Sequence, residues 1–396
     1  MMLIEVIILL YFIYVVAYAT FFSVAAHFYR PPKIHPVSPY SKHAHAKMCF
    51  LIPAYKEDAV IFESACEAVR QSYPRERFEV IVIADKLQPA TLSKLNHLPI
   101  KVIEVSFAQS TKVNSLRRAL NDLHNQFDYA IILDADNLVR HDFLERINTL
   151  IQSTRYRAIQ LKRQPKNQNN RLSFLDGVSE AINTWIYRQG ATAVGLSSSI
   201  TGSGFVVDMA LLQKCIAKMN SVGGFDRELE LLLLKEGEKV HYYRDACVKD
   251  EKVADPNVFQ GQRKRWIASQ YFYLRKYFGN GVLALLKGDF VFFNSAILRN
   301  VQLPRLINLG LLSLFTVLLL PFKNALYFGY YWWPLLLITN VVAILISIPR
   351  EYYSQRLLNS VIELPMVFLR MIALLFRIRG ANQTFIHTPH TNDLTR

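Results

Sequence analysis

Tyr129-Ala130-Ile131-Ile132-Leu133-Asp134-Ala135-Asp136-Asn137 runs an aliphatic segment into two carboxylates separated by one small residue. The apolar run and the turn-prone Asn137 predict a buried strand over 129–133 that ends in a loop. Side chains at i and i+2 of a strand point the same way, so Asp134 and Asp136 can face one site with Ala135 behind them. Two oxygen-rich side chains at the mouth of a sheet suit a hard divalent cation, Mg²⁺ or Mn²⁺, shared with substrate phosphates. A solvated strand-end turn uses the same residue types. The rest of the chain has to separate the two.

Upstream, apolar residues 49–53 form a short strand, 59–71 a helix, 78–84 a strand ending at Asp85, and 101–105 a third strand. Residues 111–124 form an amphipathic helix leading back to the opening stretch. Alternating strand and helix predicts an α/β domain with a largely parallel sheet and helices on both faces. Ligands of such sheets bind at the carboxyl ends of the strands, which is where Asp85, Asp134 and Asp136 fall. Downstream, 172–189 is helical. Thr201-Gly202-Ser203-Gly204-Phe205 is a glycine-containing turn entering a strand, either a plain turn or a place where backbone approaches a bulky ligand. Gly223-Gly224-Phe225-Asp226-Arg227-Glu228-Leu229 enters a helix that stops at Gly237. Asp226 stands where an N-cap would stand, but Leu229 occupies the place of a capping-box Glu or Gln. Gln262-Arg263-Lys264-Arg265-Trp266 pairs guanidinium forks, suited to phosphate, with an indole face for stacking. It also opens an aromatic and basic stretch, 266–278, that fits a membrane-surface helix.

Composition places this domain at a membrane. Of 396 residues 52% are hydrophobic and only 19% charged, which excludes disorder and points to a membrane protein. The formal charge of +15 suits cytoplasmic segments, anionic lipid heads and an anionic substrate. No recognition-helix or RNP pattern is present, so nucleic acid is not an expected partner. Cys49, Cys66, Cys215 and Cys247 are widely spaced, with no CxxC pair, and read as apolar fillers in a reducing compartment. Residues 6–26 are long and apolar enough to cross a bilayer. The basic flank at 27–33 then places the following domain in the cytoplasm; no basic start or cleavage site marks a signal peptide. Runs 306–320 and 325–348 form a hairpin of spans around Pro321-Phe322-Lys323-Asn324. An aromatic belt (Tyr327, Tyr330, Tyr331, Trp332, Trp333) lies at one end, and Arg350 and Arg356 return the chain to the cytoplasm. Residues 357–376 carry Glu363, Pro365 and Arg370 and favour an interfacial or re-entrant helix over a fourth span. The expected layout is a transmembrane helix (1–28), a linker (29–46), a catalytic domain (47–260), interfacial helices (261–303), a transmembrane hairpin (304–349), an interfacial or re-entrant helix (350–380) and a cytoplasmic tail (381–396).

In order and spacing these motifs resemble family 2 inverting glycosyltransferases of the membrane-embedded branch, which includes cellulose, chitin, hyaluronan and poly-N-acetylglucosamine synthases. Pro53-Ala54-Tyr55-Lys56-Glu57 is similar to the family's opening P-A-x-N/K-E, and Ile83-Ala84-Asp85 to its V-A/D-D. Lys112 matches the lysine of the helix before the DxD, which is Asp134-Ala135-Asp136. Gln160 and Thr201-Gly202-Ser203-Gly204 fit the acceptor-side motifs, Asp226-Arg227-Glu228-Leu229 the E-D-x-E-L block, and Gln262 to Trp266 the QxxRW. Two departures stand out: Phe225 replaces the family's acidic residue before the catalytic Asp, and Thr111 replaces glycine before Lys112.

The resemblance implies a GT-A nucleotide-diphospho-sugar transferase fold and a single inverting displacement from a UDP-sugar, with Mg²⁺ or Mn²⁺ as cofactor. It implies donor contacts from Pro53, Tyr55, Glu57, Asp85, Lys112, Asp134, Arg263 and Arg265. Asp136, ahead of Asp134, is the implied metal ligand and Asp226 the general base. Gln160, Gly202, Ser203, Gly204, Gln262 and Trp266 are the implied acceptor side. The expected product is a β-linked glycan grown at the cytoplasmic face of a cell membrane. Export would need a translocation partner or a homo-oligomer, since three spans make a small channel. Single addition to a lipid-linked acceptor, and an inactive membrane scaffold of the same fold, are the alternatives. A metal-dependent phosphohydrolase would use paired Asp but not QxxRW.

Overall fold

The computed structural model describes residues 2–35, 45–123 and 126–376. The expected tail, positions 377–380 of the expected interfacial or re-entrant helix, and 36–44 of the expected linker lie outside those residues. Two apolar strands set the centre, β1 (Met48–Tyr55) and β2 (Phe78–Asp85). Both are buried almost throughout, because strands covered on both faces are apolar without alternation. They pair in parallel, from Met48 opposite Phe78 to Tyr55 opposite Asp85. β3 (Lys101–Val105) joins β2, and β4 (Tyr129–Ile132) joins β1, both parallel. Their carboxyl ends therefore open to one edge, with Tyr55 beside Asp85 and Asp134 just past β4.

Four more strands complete an eight-stranded sheet: β5 (Leu138–Val139), β6 (Ala158–Pro165), β7 (Phe205–Asp208) and β8 (His241–Asp250). The order is β3-β2-β1-β4-β7-β6-β8-β5. β7 is antiparallel to β4 and β6, β8 is parallel to β6, and β5 is antiparallel to β8. The α/β, largely parallel sheet is as expected, with antiparallel pairs at β7 and β5. Nothing in the sequence pattern marked β6 or β8 as strands. β8 carries exposed charged residues (Arg244, Asp245, Lys249), and its pairing slips at Leu161/Lys162, which hides the period of two. Alternate residues of the central strands feed two cores. Phe50 and Val80 pack on one face, Leu51 and Ile81 on the other. Each such side chain contributes about 1.5–3 kcal/mol of burial.

The helix Met2–Ala25 continues to Phe28 and is long and apolar enough to cross a bilayer. It packs on Gly190, where a Cβ would lie 2.3 Å from the carbonyl oxygen of Phe22. Helices Arg305–Leu318 and Trp332–Ile346 occupy the region of the expected hairpin. Phe12, Phe315 and Trp333 join them to the first helix, and Glu5 accepts the N–H groups of Tyr327 and Phe328 at 3.0 and 3.2 Å. Helices Phe290–Val301 and Arg305–Leu318 meet at 53°, and Gln355–Val361 meets Leu364–Leu375 at 47°. Each bent pair has the composition of one broken span or a re-entrant loop. By length and composition the described residues hold one crossing helix, or up to three if each pair counts once. The second bend falls at Glu363, with Pro365 in the first turn beyond it. Arg171, at the start of the helix Arg171–Thr184, pairs with Glu363 at 3.2 Å.

Candidate active site

The site lies at the carboxyl edge of the parallel strands. Asp85 ends β2 with 1% of its surface exposed, and neither carboxylate oxygen has a hydrogen-bond partner among the described residues. A buried, unpartnered carboxylate is costly, so its persistence marks a place where a donor group from a ligand belongs. Around it the backbone is strained. Lys56 and Lys86, the residues after β1 and β2, sit at φ 56° and 57°, a conformation that costs L-residues energy and gathers at functional sites. Their ammonium groups lie 5.5 and 5.6 Å from the Tyr55 ring.

Lys112 begins the helix Lys112–Asp122, whose N-cap is Thr111: its hydroxyl accepts the N–H of Asn114 at 3.1 Å. The departure from glycine at 111 is thus a cap, which aims Lys112 at the strand edge. Lys112 Nζ donates to Asp134 Oδ1 at 2.5 Å and to the carbonyl of Gly202 at 2.7 Å. It also stands 5.1 Å from the Phe225 ring, so the aromatic at 225 packs under the Lys112 ammonium. Burial works against the charge on Asp134, but Lys112 and Arg163 outweigh it and hold the carboxyl below its ordinary range. Asp136 is buried. It accepts the N–H of Glu251 at 2.7 Å and the amide of Asn137 at 3.0 Å.

A buried ionic network, joining residues far apart in the chain, braces this edge. Arg163 Nη1 donates to the carbonyl of Thr201 at 2.8 Å, and its Nη2 pairs with Asp250. Lys252 joins Asp250 at 2.8 Å. Burial disfavours the Arg163 charge, yet Asp250, Glu180, Asp134 and Asp136 raise it well above its ordinary value. Glu180 pairs with Arg188 at 2.7 Å. Burial opposes its ionisation, but Arg188, Lys252 and Arg163 hold it well below the carboxylate range.

Across from this edge stands the helix Phe225–Lys235. Its N-cap is Gly224, in the left-handed region at φ 65°. This corrects the capping alternative for Asp226, which lies inside the first turn. The helix ends as expected, with Gly237 at φ 81° and the N–H groups of Gly237 and Glu238 returning to the carbonyls of Leu234 and Leu233 at 3.0 Å. A Cβ on Gly224 would lie 2.6 Å from Ser269 Cβ, so this helix start is seated on the long helix Pro256–Leu286. Glu228 is buried and pairs with Lys276 of that helix, with Tyr277 Oη 3.3 Å away.

The QxxRW residues diverge along the long helix. Burial pulls Arg265 below its ordinary value, against the charges of Asp134 and Asp226, which oppose the shift. Arg263, expected at the donor, turns the other way. It pairs with Asp176 and lies 4.1 Å from the Trp266 ring and 4.7 Å from Phe259. Trp266 is 37% exposed, and Gln262 Oε1 is buried without a partner among the described residues. Gln160, expected on the acceptor side, is sealed instead. It is 0% exposed; its amide donates to the carbonyls of Leu161 and Gly204 at 3.0 Å and accepts the N–H of Thr201 at 3.0 Å. Its hydrogen-bonding capacity is spent bracing the turn of Gly202, Ser203 and Gly204. Pro53 lies inside β1 opposite Ile83, and Glu57 accepts the N–H groups of Val60 and Ile61 through its backbone carbonyl.

Among the described residues no three His, Cys, Asp or Glu side chains gather as a self-sufficient metal site. Two neighbouring carboxylates at a strand edge fit a hard cation that draws its other ligands from a diphosphate and water.

A parallel-stranded edge carrying a DxD and a carboxylate on an opposing helix define a nucleotide-sugar transferase of the GT-A class. The chain belongs to glycosyltransferase family 2, whose model "Glycosyltransferase like family 2" matches residues 45–269. It is 25% identical over 240 residues to the β-monoglucosyldiacylglycerol synthase of Synechocystis, covering 57% of this chain and 48% of that protein. It is 21% identical over 238 residues to YdaM, a probable glycosyltransferase of Bacillus subtilis, covering 58% and 57% respectively. The chain thus spans about half the length of these curated relatives. A solved structure, the mannosyltransferase PcManGT of Pyrobaculum calidifontis with GDP-Man and Mn²⁺, shares the fold over 97% of this chain and 99% of its own, at TM-score 0.56 and 16% identity.

Proposed function

We propose that this protein is an inverting transferase that moves a sugar from a UDP-sugar to an amphipathic lipid acceptor at the membrane surface. The observation that carries this is Asp226: it is released from capping by Gly224, and its charge and that of Asp134 both act on Arg265. Asp85 and Tyr55 receive the nucleoside, and Lys112 and Arg265 face the diphosphate. Asp226 takes the proton of an acceptor hydroxyl. The acceptor oxygen then bonds to the anomeric carbon as the bond to the diphosphate breaks, and the pair of electrons leaves with UDP. Mg²⁺ or Mn²⁺ held by Asp136 and Asp134 would supply neutralisation of diphosphate charge.

A lipid acceptor is favoured over a growing glycan by the surroundings of Trp266. The long helix presents Phe272, Phe278, Leu283 and Leu286, each 48% exposed or more, which suits a helix lying in a lipid interface. The Synechocystis relative, by its name, builds a glucosyldiacylglycerol. The test is a panel of UDP-sugars with Mg²⁺ or Mn²⁺ on purified protein in lipid nanodiscs, reading UDP release and product length. One sugar added per lipid is expected; ladders of long product restore the polymer synthase, and no sugar-dependent release with any donor refutes the transferase. Asp226→Asn should lower transfer by about 10²–10⁴-fold while UDP still binds.

A further inference from the structure

The carboxylates of Asp134 and Asp136 are each held by a group from a distant part of the chain. Asp134 accepts Lys112 Nζ, which is itself held by the carbonyl of Gly202 at 2.7 Å. Asp136 Oδ2 accepts the backbone N–H of Glu251 at 2.7 Å. Neither support lies within a strand: Gly202 sits in the turn before β7, and Glu251 is the first residue past β8. Arg163, in β6, reaches both. Its Nη1 donates at 2.8 Å to the carbonyl of Thr201, the residue before Gly202. Its Nη2 donates to the carboxylate of Asp250, the residue before Glu251. One planar guanidinium therefore joins the chain segments that hold the two acids of the DxD.

The register slip in β8 makes this possible. Ile159, Gln160 and Leu161 face His241, Tyr242 and Tyr243, and pairing resumes with Lys162 opposite Cys247, so residues 244–246 are extra. On an unbroken register Pro165 would face Cys247; with the slip it faces Asp250. The end of β8 is thereby drawn back beside Arg163 and within reach of Asp136, the use to which irregular strands are put next to active sites. The Arg163 side chain is 15% exposed and that of Asp250 4%, so water does not replace the pair if it is broken. Other polar groups act on one arm alone. Lys252 Nζ pairs with Asp250 at 2.8 Å, and Gln160 holds the turn at Thr201 and Gly204. Only a rigid fork of N–H donors can hold two groups at fixed separation, which a lysine ammonium, a point charge, cannot do.

We propose that Arg163 is a positioning residue for the sugar-nucleotide site: acting through Thr201 and Asp250, it sets the separation of Asp134 and Asp136 and with it the affinity for the divalent cation on UDP. This rests on the transferase and cation reading above, which UDP release tests separately. The full chain in nanodiscs would be titrated with Mn²⁺ at saturating UDP, reading bound metal by electron paramagnetic resonance, and with UDP in EDTA by calorimetry. Arg163→Met should raise the Kd for Mn²⁺ about 10–100-fold, with the metal-free Kd for UDP unchanged within about threefold. Arg163→Lys keeps the charge but holds one group at a time, so it should recover only part of the loss. Lys252→Met removes the other cation on Asp250 and should leave the Kd for Mn²⁺ near its wild-type value. Unchanged Mn²⁺ affinity in Arg163→Met overturns the proposal alone. So does full recovery by lysine, which would make Arg163 a plain counter-charge, or an equal loss in Lys252→Met, which would make the effect general destabilisation. A wild type that binds UDP with no Mn²⁺ bound overturns the cation assignment and this proposal together, while sugar-dependent UDP release still sustains the transferase. If Arg163→Met does not fold, the isosteric Asp250→Asn takes its place: it should raise the Kd for Mn²⁺ in the same direction, and no rise overturns the proposal.

Discussion

Replacing Gly224 by Ala tests how the proposed base is mounted. Two costs add. An L-residue at φ 65° loses about 1 kcal/mol relative to glycine. The new methyl would also lie 2.6 Å from Ser269 Cβ, 2.9 Å from its Oγ and 3.1 Å from a Tyr273 ring carbon. The first of these atoms cannot swing aside by rotating a flexible chain end. Overpacking of this kind costs about 1–3 kcal/mol, giving roughly 2–4 kcal/mol in all. Relief of the clash moves the helix start off the long helix, carrying Asp226 with it, and a displacement near 1 Å costs about 10²-fold in rate. Ser269→Gly removes two of the three contacts. Relative to Ser269→Gly alone, Gly224→Ala should then cost only the backbone term and a milder Tyr273 contact, about 1–2 kcal/mol. The assay is thermal unfolding in detergent with kcat on the same four proteins. A Gly224→Ala enzyme with unchanged kcat, or no relief from Ser269→Gly, refutes this account of the mounting.

Three further outcomes are expected. Asp85→Asn removes a buried charge that has no partner, so the ligand-free protein should melt higher while the Kd for UDP rises about tenfold or more; calorimetric titration and melting give both numbers. Lys112→Met leaves Asp134 without its main counter-charge. The depressed Asp134 carboxyl gives stability that is complete above its unfolded value near 3.9 and is lost as pH falls through its lower folded value. The variant should lose that stability at higher pH than the wild type in acid melting curves, and bind UDP more weakly at neutral pH. His241 is pulled down to about 4, mainly by burial, and its ring stacks 3.6 Å from Tyr156. Below its unfolded value near 6.5 the unfolded chain takes the proton first, so stability should fall from about pH 6.5 to about pH 4. His241→Phe keeps the stack and should flatten that slope.

The parallel half of the fold was legible because β1, β2 and β4 carry dense apolar runs bounded downstream by charged residues. The antiparallel half was not. β6 and β8 mix charge into their pattern and slip register, and only three-dimensional pairing brings Arg163 to Asp250, 87 positions apart. The DxD stood out by its place at the end of an apolar strand, whereas Lys112 and Asp226 were singled out through the resemblance of motif order to the family. Whether Asp226 was a cap could not be read from the sequence, because the deciding fact is the φ of Gly224. Gln160 and Arg263 show the converse. A polar residue at the right spacing looks identical in sequence whether its side chain meets a ligand or spends its bonds on the turn beside it.

The seating of the helix Phe225–Lys235 on the long helix Pro256–Leu286, through Gly224 on Ser269 and Glu228 on Lys276, has a kinetic consequence. On the proposed interfacial placement of its apolar residues, that helix keeps the proposed base at a fixed depth relative to the bilayer. Acceptors then arrive by lateral diffusion in two dimensions. Turnover should follow the mole fraction of acceptor in the membrane, and adding inert lipid at constant total acceptor should slow the enzyme by surface dilution.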